Sequence, residues 1–276
     1  MTLIILLAVL YPLVYVVSAS ISSPDAVAAG HVLLLPVELS GEAYRLVFED
    51  GEILLGFKNS LIYTLIGTMI NMILTILLAF PLSRRELPGR NMITFFITFT
   101  MFFSGGLIPT YLIVEKLGMV DTIWAMVIPN AISTFNMIIM RTYFQTSIPG
   151  ELQESAYLDG CNHFRFLWSI VLPLSTPILA VLLLYYGVGH WNSYFNALIY
   201  LRSGKLINIQ LVLRNILMAN QISTGGTDAA AFGERAMIGV TVKYAAIVVS
   251  SIPVLILYPF IQKYFVKGIM VGALKG

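Results

Sequence analysis

The 276 residues include 16 Lys and Arg against 14 Asp and Glu, a formal net charge of +2, with 58% hydrophobic and only 11% charged side chains. Ordinary globular chains carry about 25% charged residues, so this composition, with a mean hydropathy of +0.86, excludes a protein whose main solvent is water. A single cysteine, Cys161, rules out a disulfide framework or a cysteine metal cluster.

Six charge-free runs occupy residues 1–24, 59–83, 91–114, 122–140, 166–201 and 244–262. Each is long enough for the roughly 20 apolar residues that a helical span needs. They predict an all-α membrane protein, one domain over residues 1–276, with six transmembrane helices at about 1–21, 59–82, 91–112, 122–143, 171–200 and 241–262. Two longer connections, 22–58 and 201–240, are expected to be extracellular loops. No Lys or Arg precedes Arg45, so residues 1–21 lack the basic start of a secretory signal and are expected to remain as a span.

On the second span, Thr64, Thr68, Asn71 and Thr75 share one helical stripe, and Gly67 permits close approach of a neighbour. Either helix packing or a polar pathway accounts for them. Gly105-Gly106 with Pro109, and Pro129-Asn130 with Ser133 and Thr134, are expected to interrupt the third and fourth spans, as plain kinks or as parts of a moving pathway.

Residues 147–172 form a polar interlude with the character of a docking element. Ser147 is expected to cap a short helix whose first turn holds Pro149 and Glu151. Asp159-Gly160 then stops the helix, because Gly160 can adopt the left-handed conformation, and Phe164, Phe166 and Leu167 supply an apolar face before Pro173 interrupts. The expected product is a bent, two-part helix outside the bilayer.

The fifth span places Tyr185, Gly189, Asn192 and Asn196 on one stripe, with His190, Trp191 and Tyr194 beside it. Aromatic rings and carboxamides together suit the C–H faces and hydroxyls of sugars, although interfacial anchoring explains Trp and Tyr equally well. With Asn71 and Asn130, these residues are the substrate-pathway candidates.

Short basic segments set the orientation. Segments 84–90, 141–165 and 263–275 hold eight Lys/Arg against four Asp/Glu, with the compact set Arg84, Arg85 and Arg90 foremost, and are expected to be cytoplasmic. Both termini then lie in the cytoplasm. His31 and His163 fall in predicted loops, where solvation or a local hydrogen bond is expected rather than metal binding. The chain contains neither a His-Glu-x-x-His motif nor a Gly-x-x-x-x-Gly-Lys-Ser/Thr phosphate loop, so no catalytic residue, metal site or cofactor is expected in it.

The intervals of Glu154-Ser155-Ala156, Asp159-Gly160 and Ile170-Val171-Leu172-Pro173 resemble the EAA loop of bacterial ABC importer permeases, with Ser155 where alanine is usual. Pro173-Leu174-Ser175-Thr176-Pro177 and the terminal Val266-Lys267-Gly268 through Lys275-Gly276 are similar to the carbohydrate-type, maltose-like members. The runs 101–110 and 189–196 look like the branch serving oligosaccharides and polysaccharide fragments. The resemblance implies the type I ABC importer permease fold, with a cytoplasmic EAA coupling helix, in a bacterial plasma (inner) membrane. It implies that Glu154, Ser155, Ala156, Asp159, Gly160, Ile170, Leu172 and Pro173 couple the chain to a partner ATPase that holds ATP and Mg. It also implies a second homologous permease subunit, two ATPase copies, an extracellular sugar-binding protein, and a sugar rather than a nucleic acid as the cargo.

Two other classes stand beside this reading. An intramembrane enzyme would use His190 or Ser104, and an ion-driven secondary carrier would use His190. Neither finds an Asp or Glu inside any of the six runs to orient or exchange a proton.

Overall fold

The computed structural model describes residues 1–223, 239–259 and 262. The C-terminal motif Val266-Lys267-Gly268 to Lys275-Gly276, the basic residue Lys263, part of the 201–240 loop and the last turn of the 241–262 span lie outside the described residues. Among the described residues all regular structure is helical, apart from one isolated antiparallel bridge between Ser22 and Leu39. The chain divides into two compact units: residues 1–61 with 194–256, and residues 62–193 with 257–276.

In the first unit, α1 (Thr2–Ser20) is apolar almost throughout. Its end is closed by hydroxyls: Ser22 donates to the Ser18 carbonyl at 2.7 Å and Ser18 donates to the Leu34 carbonyl at 2.6 Å. Helix α2 (Pro24–Ala28) follows capping grammar, with Pro24 in its first turn and the Ser23 hydroxyl accepting from the Ala26 amide. Helix α3 (Glu42–Glu49) buries Ala43 and Val47, one turn apart.

Asp50 then opens α4 (Gly51–Ser83), its carboxylate accepting from the Glu52 and Ile53 amides at 2.8 and 3.1 Å. At 1.5 Å per residue these 33 residues extend about 50 Å, more than a hydrocarbon core of about 30 Å requires.

Helices α5 (Arg90–Phe102) and α6 (Leu107–Lys116) meet at a bend of 111°. Gly106 sits at the bend with φ 85°, a conformation that side chains disfavour. Short α7 (Ile123–Val127) and longer α8 (Thr134–Ser147) flank a non-helical interval around Pro129 and Asn130. Helix α9 (Gly150–Leu158) follows. The stretch His163–Leu174 then runs as α10 (His163–Phe166), a π-helical turn (Leu167–Val171) and α11 (Leu172–Leu174).

A break at Ser175 and an 84° bend lead into α12 (Thr176–Trp191). The core of this second unit joins the end of α4, α8, the segment after α9 and α12: Leu82, Met137, Met140, Phe144, Phe166 and Leu182 are fully or almost fully buried there. Arg141 on α8 donates to the Leu82 carbonyl at 2.9 Å, satisfying an acceptor in the last turn of α4.

Back in the first unit come α13 (Tyr194–Tyr200), a 3₁₀ turn (Gly204–Leu206), α14 (Ile209–Ser223) and α15 (Gly239–Pro259). Asn59 donates from its one amide nitrogen to the Lys205 and Ile207 carbonyls, both at 2.9 Å, and Ser60 accepts from the Ile209 amide at 2.9 Å. A Cβ on Gly56 would stand 3.0 to 3.2 Å from Val212, Ile209 and Asn208, so glycine lets α4 and α14 approach this closely.

Among the described residues, α4 and α15 are each long and apolar enough to cross a membrane, and the bent pairs α5/α6 and His163–Leu174/α12 meet the same test jointly. The runs at 59–82 and 241–262 coincide with the two long helices, and 1–21 with the shorter apolar α1. The run 122–143 is divided between α7 and α8, and 171–200 is interrupted at Ser175 and again at Asn192-Ser193.

Two local expectations are corrected. Ser147 does not cap α9; it is the last residue of α8, and Pro149 holds the N-cap position without a side-chain bond. Helix α8 simply continues further, so Ser147 never acquires the extended backbone a cap needs. Nor does Pro173 stop the helix. The preceding π turn bonds the Leu172 amide back to the Leu167 carbonyl, and this wider register carries the chain through the proline to Ser175.

Asn59→Ala removes the donor of two carbonyls, one bond each. The expected result is a loss of about 1–3 kcal/mol, read as a lower melting temperature of the detergent-solubilised chain.

Candidate functional site

Two polar assemblies stand out in the second unit, one where the α7–α8 interval meets α4 and α12, the other at the end of α4. In the first, the Asn71 amide nitrogen donates to the Asn130 carbonyl at 2.9 Å, leaving its oxygen to face His190 Nε2 at 2.8 Å. Because that oxygen can only accept, Nε2 carries the hydrogen and the tautomer is set by the network. One turn further along α4, the Thr75 hydroxyl pairs with Tyr186 at 2.7 Å, and Tyr186 accepts from the Ser133 amide at 3.3 Å.

The broken backbone between α7 and α8 thus has a carbonyl and an amide satisfied by side chains of α4 and α12. Gly67 completes the arrangement, since a Cβ there would stand 2.4 to 2.7 Å from the imidazole ring.

Of the α4 stripe, Asn71 and Thr75 bond across to neighbouring segments, whereas the buried hydroxyls of Thr64 and Thr68 have no hydrogen-bond partner among the described residues. On α12, the predicted stripe divides by exposure. Tyr185, Gly189 and Asn192 are exposed, with the Asn192 amide bonded to the Val188 carbonyl of its own helix at 3.0 Å. His190 and Trp191 are buried.

Tyr194, exposed and edge-to-face with Phe195, and half-buried Asn196 lie beyond the Asn192-Ser193 break on α13, in the other unit. Asn130 contributes its backbone, with its side chain exposed. Sequence reasoning missed Tyr186. The signal was present, because Leu182, Tyr186 and His190 repeat every four residues and all three are buried.

The second assembly surrounds α9. Its inner face buries Gln153 and Ala156, while Glu154, Ser155, Asp159 and Gly160 are exposed. Helix α9 ends at Leu158, and Gly160 follows in the left-handed region at φ 76°. Ile170 and Leu172 are half-buried and Pro173 is exposed.

Gln153 uses both ends of its carboxamide: its oxygen accepts from Arg84 Nη1 at 2.9 Å, and its nitrogen donates to Glu86 at 3.0 Å and to the Tyr157 hydroxyl at 3.2 Å. The Tyr157 hydroxyl in turn bonds His163 Nδ1. His163 is therefore held by a local hydrogen bond.

Burial lowers the Arg84 pKa from the usual arginine value, against opposing contributions from Tyr157 and Glu86. Burial likewise raises that of Tyr157, assisted by Glu86. A cavity of about 440 Å³, mostly apolar and lined by Phe80, Pro81, Arg84, Glu86, His163 and Phe164 among others, opens beside this network and away from His190 and Asn71. Neither Arg84 nor Gln153 carried a signal beyond position, although Gln153, Ala156 and Tyr157 do share the i, i+3, i+4 spacing of an inward face.

With this geometry in view, the sequence relationships are informative. Residues 53–271 match the family described as binding-protein-dependent transport system inner membrane component. The chain belongs to this family of ABC transporter permeases, inner-membrane components that are not themselves catalytic. It is 42% identical over 265 residues to the polygalacturonan/rhamnogalacturonan transport system permease protein YtcP of Bacillus subtilis, covering 96% of this chain and 92% of that one. It is 37% identical over 265 residues to protein LplC of the same organism, covering 96% and 89%. A crystal structure of a bacterial ABC transporter that imports the acidic polysaccharide alginate contains a chain that superposes with a TM-score of 0.87 at 37% identity, covering 95% of this chain and 92% of that chain. The all-helical fold is that of a type I importer permease.

Asn71→Leu is expected to leave the His190 Nε2–H and the Asn130 carbonyl unpaired, at about 1–3 kcal/mol for each buried group, read as a lower melting temperature. Gly67→Ala should destabilise through its clash with the imidazole, and His190→Ala in the same chain should recover most of that loss.

Proposed function

We propose that this chain is one of two permease subunits of a bacterial importer that takes up oligosaccharides released from polysaccharides, driven by ATP binding and hydrolysis in a separate ATPase. Residues 147–172 face the cytoplasm, as do both termini, and dock into that ATPase as a coupling helix. Two ATPase copies holding ATP and Mg close together, draw the coupling helices of the permease pair with them, and switch access to the pathway. ATP moves this equilibrium only by binding the two states differently. An extracellular binding protein delivers the sugar, and six spans per subunit form half of the pathway.

The observation that carries the proposal is the unpartnered outer face of the coupling segment. Beside the exposed Glu154, Ser155, Asp159 and Gly160, the apolar side chains of Leu158, Phe164 and Trp168 are 89, 70 and 68% exposed. Apolar groups of this size, interleaved with carboxylates and with the exposed Arg85 nearby in the basic segment, fit a protein partner better than bulk water. The relatives named for polysaccharide and oligosaccharide transport support the choice of cargo.

On α12, the exposed Tyr185, Gly189 and Asn192 are the sugar-facing candidates, and Tyr194 and Asn196 are candidates on α13. His190, Asn71 and Asn130 hold the helices that present them.

Gly160→Arg places a bulky side chain at a left-handed position on this face. The expected outcome is a permease that inserts into the membrane but no longer co-purifies with an ATPase or drives uptake. Normal co-purification and uptake by that variant would overturn the docking assignment.

A further inference from the structure

We infer that Arg84 and Gln153 form a positioning clamp through which displacement of the coupling segment reaches α4, an inference that rests on the docking proposed above. Arg84 is the first residue after α4, so a force on its side chain acts directly on the end of that helix. Its guanidinium carbon lies 5.1 Å from the Phe80 ring of α4 and 5.7 Å from the Phe166 ring of α10, and the two rings are themselves 6.3 Å apart. The cation is therefore held between one ring from the apolar helix and one from the segment after the coupling bend.

Its Nη1 donates to buried Gln153 on α9, while Nε and Nη2 are shielded from solvent and have no hydrogen-bond partner among the described residues. Among the described residues no carboxylate comes within ion-pair distance of it.

Arg84 is half-buried, and the Nη1 bond together with the two ring faces are the contacts that hold its guanidinium in place. Gln153 extends the hold. Its nitrogen engages Glu86, two residues past Arg84, and Tyr157, which passes the chain of bonds to His163 at the start of α10. One carboxamide thus links the end of α4, the coupling helix and the segment beyond the bend. The donor and acceptor ends of Gln153 fix the direction of every bond, so neither glutamate nor alanine can replace it. Lysine cannot replace Arg84, since it lacks the planar surface that two rings require.

The test measures the distance between spin labels on Glu151→Cys of α9 and Met69→Cys of α4, both exposed positions outside the docking face described above, in a chain whose Cys161 is alanine, within the complex formed with its ATPase. With Arg84 and Gln153 intact, the distance distribution is expected to be narrow and to stay unchanged when ATP and Mg are added, because the two elements move together. In Arg84→Met, Arg84→Lys and Gln153→Ala the distribution is expected to broaden without nucleotide and to shift with it, while the ATPase still co-purifies. Combining Arg84→Met with Gln153→Ala should broaden it no further than either alone.

A narrow, nucleotide-insensitive distribution in Gln153→Ala overturns the clamp, and this variant decides the matter if Arg84→Met does not insert. If no ATPase associates even with the intact chain, the docking proposal fails instead, and the nucleotide-free width still reports on the clamp.

Discussion

A backbone carbonyl or amide released where a helix breaks needs a hydrogen-bond partner, and this constraint governs the packing around the α7–α8 interval. Pro129 and the residues after it cannot continue a helix, and the groups left over are met from outside: Asn71 reaches the Asn130 carbonyl and Tyr186 reaches the Ser133 amide. The polar residues of α4 are therefore placed by the break they serve. His190 is drawn into the same knot through the other end of Asn71, and Gly67 is small so that the ring can lie against the helix. His190 is held by a carboxamide with glycine beneath it, and among the described residues no carboxylate bonds to it.

The coupling end uses a different device. The Arg84 cation is compensated by aromatic faces and one amide oxygen, and the two ends of Gln153 are spent on opposite charges, Arg84 on one side and Glu86 on the other. The outer face of α9 keeps its carboxylates and apolar side chains exposed. One short helix thus presents an outer surface fit for a partner and an inner surface fastened to the membrane helix.

Several features of this arrangement were legible as local grammar. The stop at Gly160 and the interruptions at Gly106 and Pro129 follow from the backbone preferences of the residues themselves; the caps at Ser23 and Asp50 obey the same preferences but were not anticipated. Where the local grammar failed, a neighbour prevailed. Ser147 is a good cap in isolation, yet α8 packs its Met137, Met140 and Phe144 into the core and the helix runs on past the position where a cap would act. Pro173 is a good breaker, but a π turn ahead of it changes the hydrogen-bond register and accommodates its missing donor. The α12 stripe of Tyr185, Gly189 and Asn192 is exposed throughout, whereas His190 and Trp191 beside it are buried, since periodicity groups residues by angle and says nothing about which angle meets another helix.

By itself, the sequence determined the solvent, the class and the family: long charge-free runs can persist only in an apolar medium, and the spacing of Glu154, Gly160 and Pro173 carries the resemblance to ABC importer permeases. It could not reveal that Asn71 would hold His190, or that the Arg84 guanidinium would lie over both the Phe80 and Phe166 rings. Those pairings join residues far apart along the chain, between 69 and 119 positions for the bonds of Arg84 and His190 to Gln153 and Asn71. Only tertiary packing decides them, because a hydrogen bond or ring contact depends on which surfaces meet, and composition and period leave that undetermined.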